Sequence, residues 1–127
     1  MPDFKDSFNA EQMDAVTEYV LSLSGHAMDD KKVAMGQRIF NGEEGGCYYC
    51  HTTNATGMTA VGSANLTDSI WTVADVQGAA SIEEKKAVVQ SVIANGVNRK
   101  MPGWSERLSD NDIKLLTVFV HQLGGGK

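Results

Sequence analysis

Cys47-Tyr48-Tyr49-Cys50-His51 is the stretch on which the reading of this chain turns. Two cysteines with two residues between them, followed directly by a histidine, form a C-x-x-C-H run of the kind that attaches c-type haem. The spacing has a mechanical reason. Thiols three positions apart reach the two vinyl groups on one edge of a porphyrin, and the adjacent imidazole is then held under the iron. The other chemistries of C-x-x-C ask for more than this chain offers. A zinc site takes four Cys or His ligands, whereas the chain has two cysteines and three histidines, with His26 and His121 far from the motif. A thioredoxin-like pair follows a strand in a βαβ unit, and no strand-rich segment precedes Cys47.

Around the motif the chain reads as helices joined by one long loop. Upstream, Val33, Gly36, Ile39 and Phe40 make the inner stripe of a helix over 30–41, and the glycine-rich 42–46 is a flexible approach to the cysteines. Further upstream, Met13, Val16, Tyr19, Val20 and Leu23 recur at steps of three and four over 9–23, the spacing of an amphipathic helix. Helical signal is absent from Thr52 to about Gly78, a polar stretch long enough to wrap around something functional. It returns at 81–95, with Ser81 as N-cap, Glu84 three residues on, and Val88, Val89, Val92 and Ile93 as the stripe; Gly96 is the stop. A last helix is predicted over 109–123, capped by Ser109, with Ile113, Leu116, Phe119, Val120 and Leu123 facing inward. Gly124, Gly125 and Gly126 close it.

Residues 8–25 align without gaps on residues 108–125. Thr17, Val20, Leu23 and Gly25 match Thr117, Val120, Leu123 and Gly125, and Met13, Val16 and Tyr19 match Ile113, Leu116 and Phe119. Two unrelated amphipathic helices can share such a pattern; so can the two ends of a tandem duplication, in which case the chain opens with the final helix of an upstream copy.

The bulk properties leave room for a cofactor and narrow the partners. A chain of 127 residues with 42% hydrophobic and 7% aromatic residues makes only a modest core, which a large apolar group at its centre would help. A net charge of -5 without clustered Lys and Arg argues against nucleic acid. No run approaches the ~20 apolar residues of a membrane span, and residues 1–6 carry no targeting signal.

A second axial ligand comes from the six methionines, since Met paired with His is usual in electron-transfer cytochromes. Met101 is the expected sixth ligand: it lies in a loop between two helices, and Pro102 stiffens the backbone behind it. Met13 and Met35 sit on helices as core residues, and Met58, soon after His51, is the rival. Trp71 and Trp104 flank the loop segments, where either ring can lie on the porphyrin or simply pack in the core. Arg99 and Lys100 are candidates for the propionates or for plain exposed charges.

With these residues in hand, the chain resembles the class I cytochrome c family, and within it the second haem domain of the dihaem c subunit (CcoP or FixP) of cbb3-type cytochrome c oxidases. Asn65-Leu66-Thr67-Asp68-Ser69-Ile70-Trp71 resembles the family's NLTD-x-x-W segment, and Met101-Pro102-Gly103-Trp104 its MP-x-W. Gly36 and Phe40 stand where the family's first helix crosses its last, and residues 19–25 are similar to the close of the subunit's first haem domain. The resemblance implies an all-α class I cytochrome c fold with an extra N-terminal helix, holding one haem c through Cys47 and Cys50. Its iron would be bound by His51 and Met101, with Asn65, Leu66, Trp71, Arg99, Pro102 and Trp104 around the cofactor. It also implies residues 1–28 as the terminal helix and linker of a truncated upstream domain, peripheral to a monohaem domain over 29–127. The function implied is one-electron transfer, without catalysis by the chain itself, in the subunit through which electrons enter a cbb3-type oxidase. The implied setting is the periplasmic face of a bacterial inner membrane, with the parent protein membrane-anchored. The partners would be a donor cytochrome c or other redox protein and the oxidase subunits. A free periplasmic cytochrome and a gas-binding haem protein are the alternatives. Two departures from the family are Gly62-Ser63-Ala64 in place of Gly-Ala-Pro, and Val97 where an Arg follows Asn-Gly. The first leaves the Ala64 carbonyl to receive the His51 ring N–H, and the second leaves Arg99 as a substitute for the propionate contact.

Overall fold

The computed structural model describes residues 1–99 and 102–123. It is all-α: α1 (Ala10–Leu23), α2 (Asp30–Asn41), the short α3 (Tyr48–His51), α4 (Ile82–Asn95) and α5 (Asp110–Leu123), with a 3-10 turn over Thr59–Val61. Among the described residues the β pairing is confined to an isolated bridge between Met58 and Ser63.

Local chemistry sets where the helices start. The Asn9 side chain accepts from the Gln12 N–H at 2.9 Å while the Gln12 side chain accepts from the Asn9 N–H at 2.9 Å, a reciprocal capping box. Asp29 Oδ1 accepts from the N–H groups of Lys31 and Lys32, both at 3.0 Å. Ser81 Oγ accepts from the Glu84 N–H at 3.1 Å, and Gly96, at φ +67°, supplies the left-handed turn that stops α4. Each start and stop agrees with the expected helix to within a residue.

Packing departs from expectation in one respect, and the departure reorganises the core. Helix α1 packs on α2 and on α4, whereas α5 makes no comparable packing with another helix. Phe8, Met13, Val16, Tyr19, Val20 and Leu21 join Ile39 and Phe40 of α2, Val89 of α4, and Ala55, Ala74 and Val76 of the loops in one apolar cluster. The Tyr19 and Phe40 rings meet edge-on with centroids 5.2 Å apart. Residues 1–28 are therefore not peripheral. Fully burying an aliphatic side chain is worth ~1.5–3 kcal/mol, so Met13, Val16 and Leu21 together rival the ~5–15 kcal/mol by which a domain is stable at all.

Two related expectations are corrected with it. Gly36 and Phe40 cross α1, not the last helix: a Cβ on Gly36 would stand 2.1 Å from the Ala15 carbonyl oxygen. Helix α5 does not turn its apolar stripe inward, since Phe119 is 56% and Leu123 72% exposed and none of its residues is buried. The reason is physical. Periodicity specifies that a helix has an apolar face but not which groove receives it, and here α1 has taken the place on α2.

Candidate functional site

Cys47 ends the glycine-rich approach, and the next four residues make the single turn of α3, with the His51 N–H donating to the Cys47 carbonyl at 2.9 Å. This turn sets Cys47, Cys50 and His51 along one wall of a cavity of about 870 Å³. The rest of the lining is largely apolar and includes Val16, Val20, Phe40, Val89, Val92 and Ile93. The volume lies in the ~300–1,000 Å³ range of pockets that hold a sizeable organic group.

His51 is held from behind. Its Nδ1 lies 2.9 Å from the Ala64 carbonyl oxygen, the hydrogen bond expected from the backbone at this place. With Nδ1–H donating there, Nε2 is left as the lone-pair nitrogen, the tautomer a metal-ligating histidine requires. The Ala64 carbonyl is steadied by its neighbour. Ser63 Oγ accepts from the Met58 N–H at 2.7 Å and donates to the Cys50 carbonyl at 2.5 Å, so one hydroxyl ties the far side of the loop to the C-x-x-C-H turn. In the sequence Ser63 stands out only as a departure from the family pattern, and nothing local signals its bridging role.

The two thiols differ in environment. Cys47 is half-buried and Cys50 exposed; burial pushes the Cys47 thiol up to about 11, and its Sγ–H donates weakly to the Gly45 carbonyl at 3.6 Å. Both are free. The donor set therefore fits a c-type haem: two free thiols, an oriented imidazole and a large apolar cavity that all three share.

Among the other expected site residues, Asn65, Leu66, Trp71 and Arg99 line this same cavity. Asn65 Oδ1 accepts from the Thr67 N–H at 3.0 Å and from its hydroxyl at 2.7 Å, which explains the Asn-Leu-Thr order as a local turn lock. Pro102 and Trp104 lie elsewhere, on a second hollow walled by α5, with the Arg107 guanidinium 5.4 Å from the Trp104 ring centroid. Met101 and Lys100 fall outside the described residues. Met58 is partly exposed and bridged to Ser63. His26 makes its contacts with Ser24 Oγ, the Leu21 carbonyl and Lys85 Nζ.

Among the lining residues that the sequence reading did not place at the site are Met1, Pro2 and Phe4, along with Val16 and Val20 of α1. The Val97 N–H donates to the Met1 carbonyl at 3.0 Å, and the Phe4 N–H donates to the Ala94 carbonyl at 3.2 Å. The signal was in the sequence. Extended upstream, the internal repeat sets Met1-Pro2-Asp3-Phe4 on Met101-Pro102-Gly103-Trp104 and Phe8 on Leu108.

A helical domain whose C-x-x-C-H turn and backed histidine face one apolar cavity defines a c-type cytochrome domain. Comparison with known proteins agrees. Residues 31–120 match the family described as cytochrome c oxidase, cbb3-type, subunit III, and the chain belongs to that family. It is 40% identical, over 92% of its length, to the cbb3-type cytochrome c oxidase subunit CcoP of Azospirillum sp. (strain B510). It is 42% identical, over 88% of its length, to the subunit FixP of Azorhizobium caulinodans, and 37% identical, over 91%, to the CcoP of Rhodobacter capsulatus. The chain spans 37%, 34% and 37% of those relatives. No helix among the described residues is long and apolar enough to cross a membrane.

Proposed function

We propose that this chain carries one haem c, bound through thioethers to Cys47 and Cys50, and passes single electrons within a cbb3-type cytochrome c oxidase. The observation that carries the reading is the His51–Ala64 hydrogen bond on the wall where both thiols meet the cavity. The haem, when bound, supplies a one-electron Fe(III)/Fe(II) couple. The residues around it do the rest. Cys47 and Cys50 would hold the ring, and His51 would ligate its iron through Nε2, kept basic by the Ala64 carbonyl. Val16, Val20, Phe40, Val89 and Val92 exclude water and lower the local dielectric, while Asn65, Leu66, Trp71 and Arg99 close the edge. Met101 is proposed as the sixth ligand, with Pro102 limiting its backbone and Trp104 following in the same segment. The soft thioether of Met101, together with the His51 imidazole, would favour ferrous iron and would keep small molecules from binding it.

That the relatives are named as cbb3-type cytochrome c oxidase subunits supports reading the chain as part of a non-catalytic subunit through which electrons reach the oxidase, with the periplasmic face of the membrane as its proposed setting. The proposed donor is a cytochrome c or another redox protein, and the acceptors are the other oxidase subunits. The internal repeat supports residues 1–28 as descended from the end of an upstream cytochrome domain, while 29–127 carry the haem-attachment residues and Val16 and Val20 of the first segment complete the cavity. Spectra test the proposal. The reduced protein in alkaline pyridine should show the absorption of a doubly thioether-linked haem, shifted in Cys47→Ser and Cys50→Ser chains; an unshifted spectrum would sink the attachment. Met101→Ala should remove the near-infrared sulfur-to-iron band of the oxidised protein and admit carbon monoxide, while Met58→Ala should do neither. The reverse result would transfer the ligand to Met58.

A further inference from the structure

Two carbonyls at the end of the C-x-x-C-H turn, those of Cys50 and His51, have no partner within α3, as is general for the last carbonyls of a helix. Both find one in the loop that follows. The Cys50 carbonyl accepts from Ser63 Oγ at 2.5 Å, and the His51 carbonyl accepts from the Gly57 N–H at 2.9 Å. The same two residues, Ser63 and Gly57, also hold the Ala64 carbonyl, which receives the His51 ring N–H at 2.9 Å.

Gly57 holds it by contact. At φ +76° its backbone lies so close that a Cβ would stand 2.6 Å from both the carbon and the oxygen of the Ala64 carbonyl. That conformation favours glycine, and the approach leaves no space for a side chain. Ser63 holds it through bonds. Its N–H donates to the Met58 carbonyl at 3.2 Å, and its hydroxyl accepts from the Met58 N–H at 2.7 Å. A hydroxyl has one proton to donate, and the shorter bond assigns it to the Cys50 carbonyl over the Met58 carbonyl at 3.3 Å. Beyond Ala64, the Leu66 N–H donates to the Ala55 carbonyl at 2.8 Å, so the chain is fixed on both sides of the acceptor.

These contacts close on themselves. From the His51 carbonyl the path runs to Gly57, across the close approach to the Ala64 carbonyl, and back to the His51 ring. A second path joins Ala64 through Ser63 to Cys50, the neighbour of His51. The imidazole and its acceptor are therefore anchored to the same turn.

We propose, on the haem reading above, that Ser63 and Gly57 are positioning residues for the iron-binding histidine: by clamping the Ala64 carbonyl they set the strength of the His51 Nδ1–H···O bond and, through Nε2, the reduction potential of the haem. An acceptor held against Nδ1–H raises the basicity of Nε2, and a more basic ligand favours ferric over ferrous iron. Loosening the clamp weakens the bond and moves the balance toward ferrous iron.

The test is potentiometric titration of the full-length, haem-loaded chain, with thioether attachment scored first in alkaline pyridine. Ser63→Ala should move the balance toward ferrous iron by about three- to tenfold, less than the ~10–100-fold effect of removing a histidine's outer partner outright, because the Ala64 carbonyl itself stays. Ser63→Thr keeps a hydroxyl and should stay within about twofold of the unaltered chain. Gly57→Ala, which pushes on the Ala64 carbonyl, should shift the balance in the same direction as Ser63→Ala. In the reduced protein, the His51 Nδ1–H followed by NMR should exchange with solvent about tenfold faster in Ser63→Ala. A merely structural Ser63 would lower stability and move neither readout. An attached haem whose potential is unmoved in either alanine variant, or a Ser63→Ala shift that Ser63→Thr reproduces, would overturn the proposal and leave the haem reading standing. An unaltered chain that attaches no haem would overturn both.

Discussion

Gly36→Ala is the change whose effect the structure specifies most directly. A Cβ at this position would lie 2.1 Å from the Ala15 carbonyl oxygen, 2.6 Å from the Ala15 carbonyl carbon and 2.7 Å from Tyr19 Cβ, where ordinary contact begins near 3.4 Å. Two of the three atoms are backbone within a helix, so no rotamer change relieves the clash. The helices must separate by about an ångström, opening the contacts of Val16, Tyr19 and Phe40; forced overpacking of this kind costs ~1–3 kcal/mol and sometimes more. Working in the other direction, Ala is favoured over Gly inside a helix by ~0.5–1 kcal/mol. The steric effect wins, leaving a net loss of about 1–2 kcal/mol. Urea unfolding followed by tryptophan fluorescence should show this as a midpoint lowered by about 1 M, given slopes of ~1–3 kcal/mol/M. Gly103→Ala is the control, since nothing lies within 4 Å of that site. A Gly36→Ala protein as stable as the unaltered one, or more so, would mean that the α1–α2 crossing is not at Gly36.

Acid should loosen α1 before the rest. Burial opposes ionisation of Asp14 and Glu18, yet hydrogen bonds and charge from Lys32 and Lys86 outweigh it and hold both carboxyls below their ordinary values of 3.8 and 4.5. Groups depressed in this way stabilise the fold fully above those ordinary values and lose the contribution as pH falls through the lower, folded-state values. Stability should therefore drop below about pH 4, and Glu18→Gln should flatten that drop while costing about 1–2 kcal/mol at pH 7, a figure reduced because Lys32 and Lys86 reach solvent. A Glu18→Gln acid transition as steep as that of the unaltered chain would refute the assignment. Ser63→Ala removes the hydroxyl between the Met58 N–H and the Cys50 carbonyl, and is expected to cost about 1 kcal/mol and to speed exchange of the Met58 amide. An unaffected amide would show that another group holds this loop.

Much of this molecule is local and was legible in the residues. Asn9 with Gln12, Asp29 with the amides after it, and Ser81 with Glu84 each cap a helix within one turn, so the helix starts follow from short-range chemistry. Cys47, Cys50 and His51 share a single turn, which is why the chemistry of the site could be read without knowing the fold. The Ala64 carbonyl was anticipated through the family resemblance, and the structure has it 13 positions along the chain at hydrogen-bond distance from His51. What tertiary structure alone decided is which apolar helix fills the groove on α2. Met13, Val16, Tyr19, Val20 and Leu23 offer the same stripe as Ile113, Leu116, Phe119, Val120 and Leu123, so hydrophobic period cannot choose between α1 and α5. In the observed packing Asp14 and Glu18 of α1 pair with Lys32 and Lys86, where the matching positions of α5 carry Lys114 and Val118. Those residues acquire meaning only when folding brings Lys32 and Lys86 beside them, the latter from 68 positions away, because a charge has no preference until its partner is within a few ångströms and partly out of water.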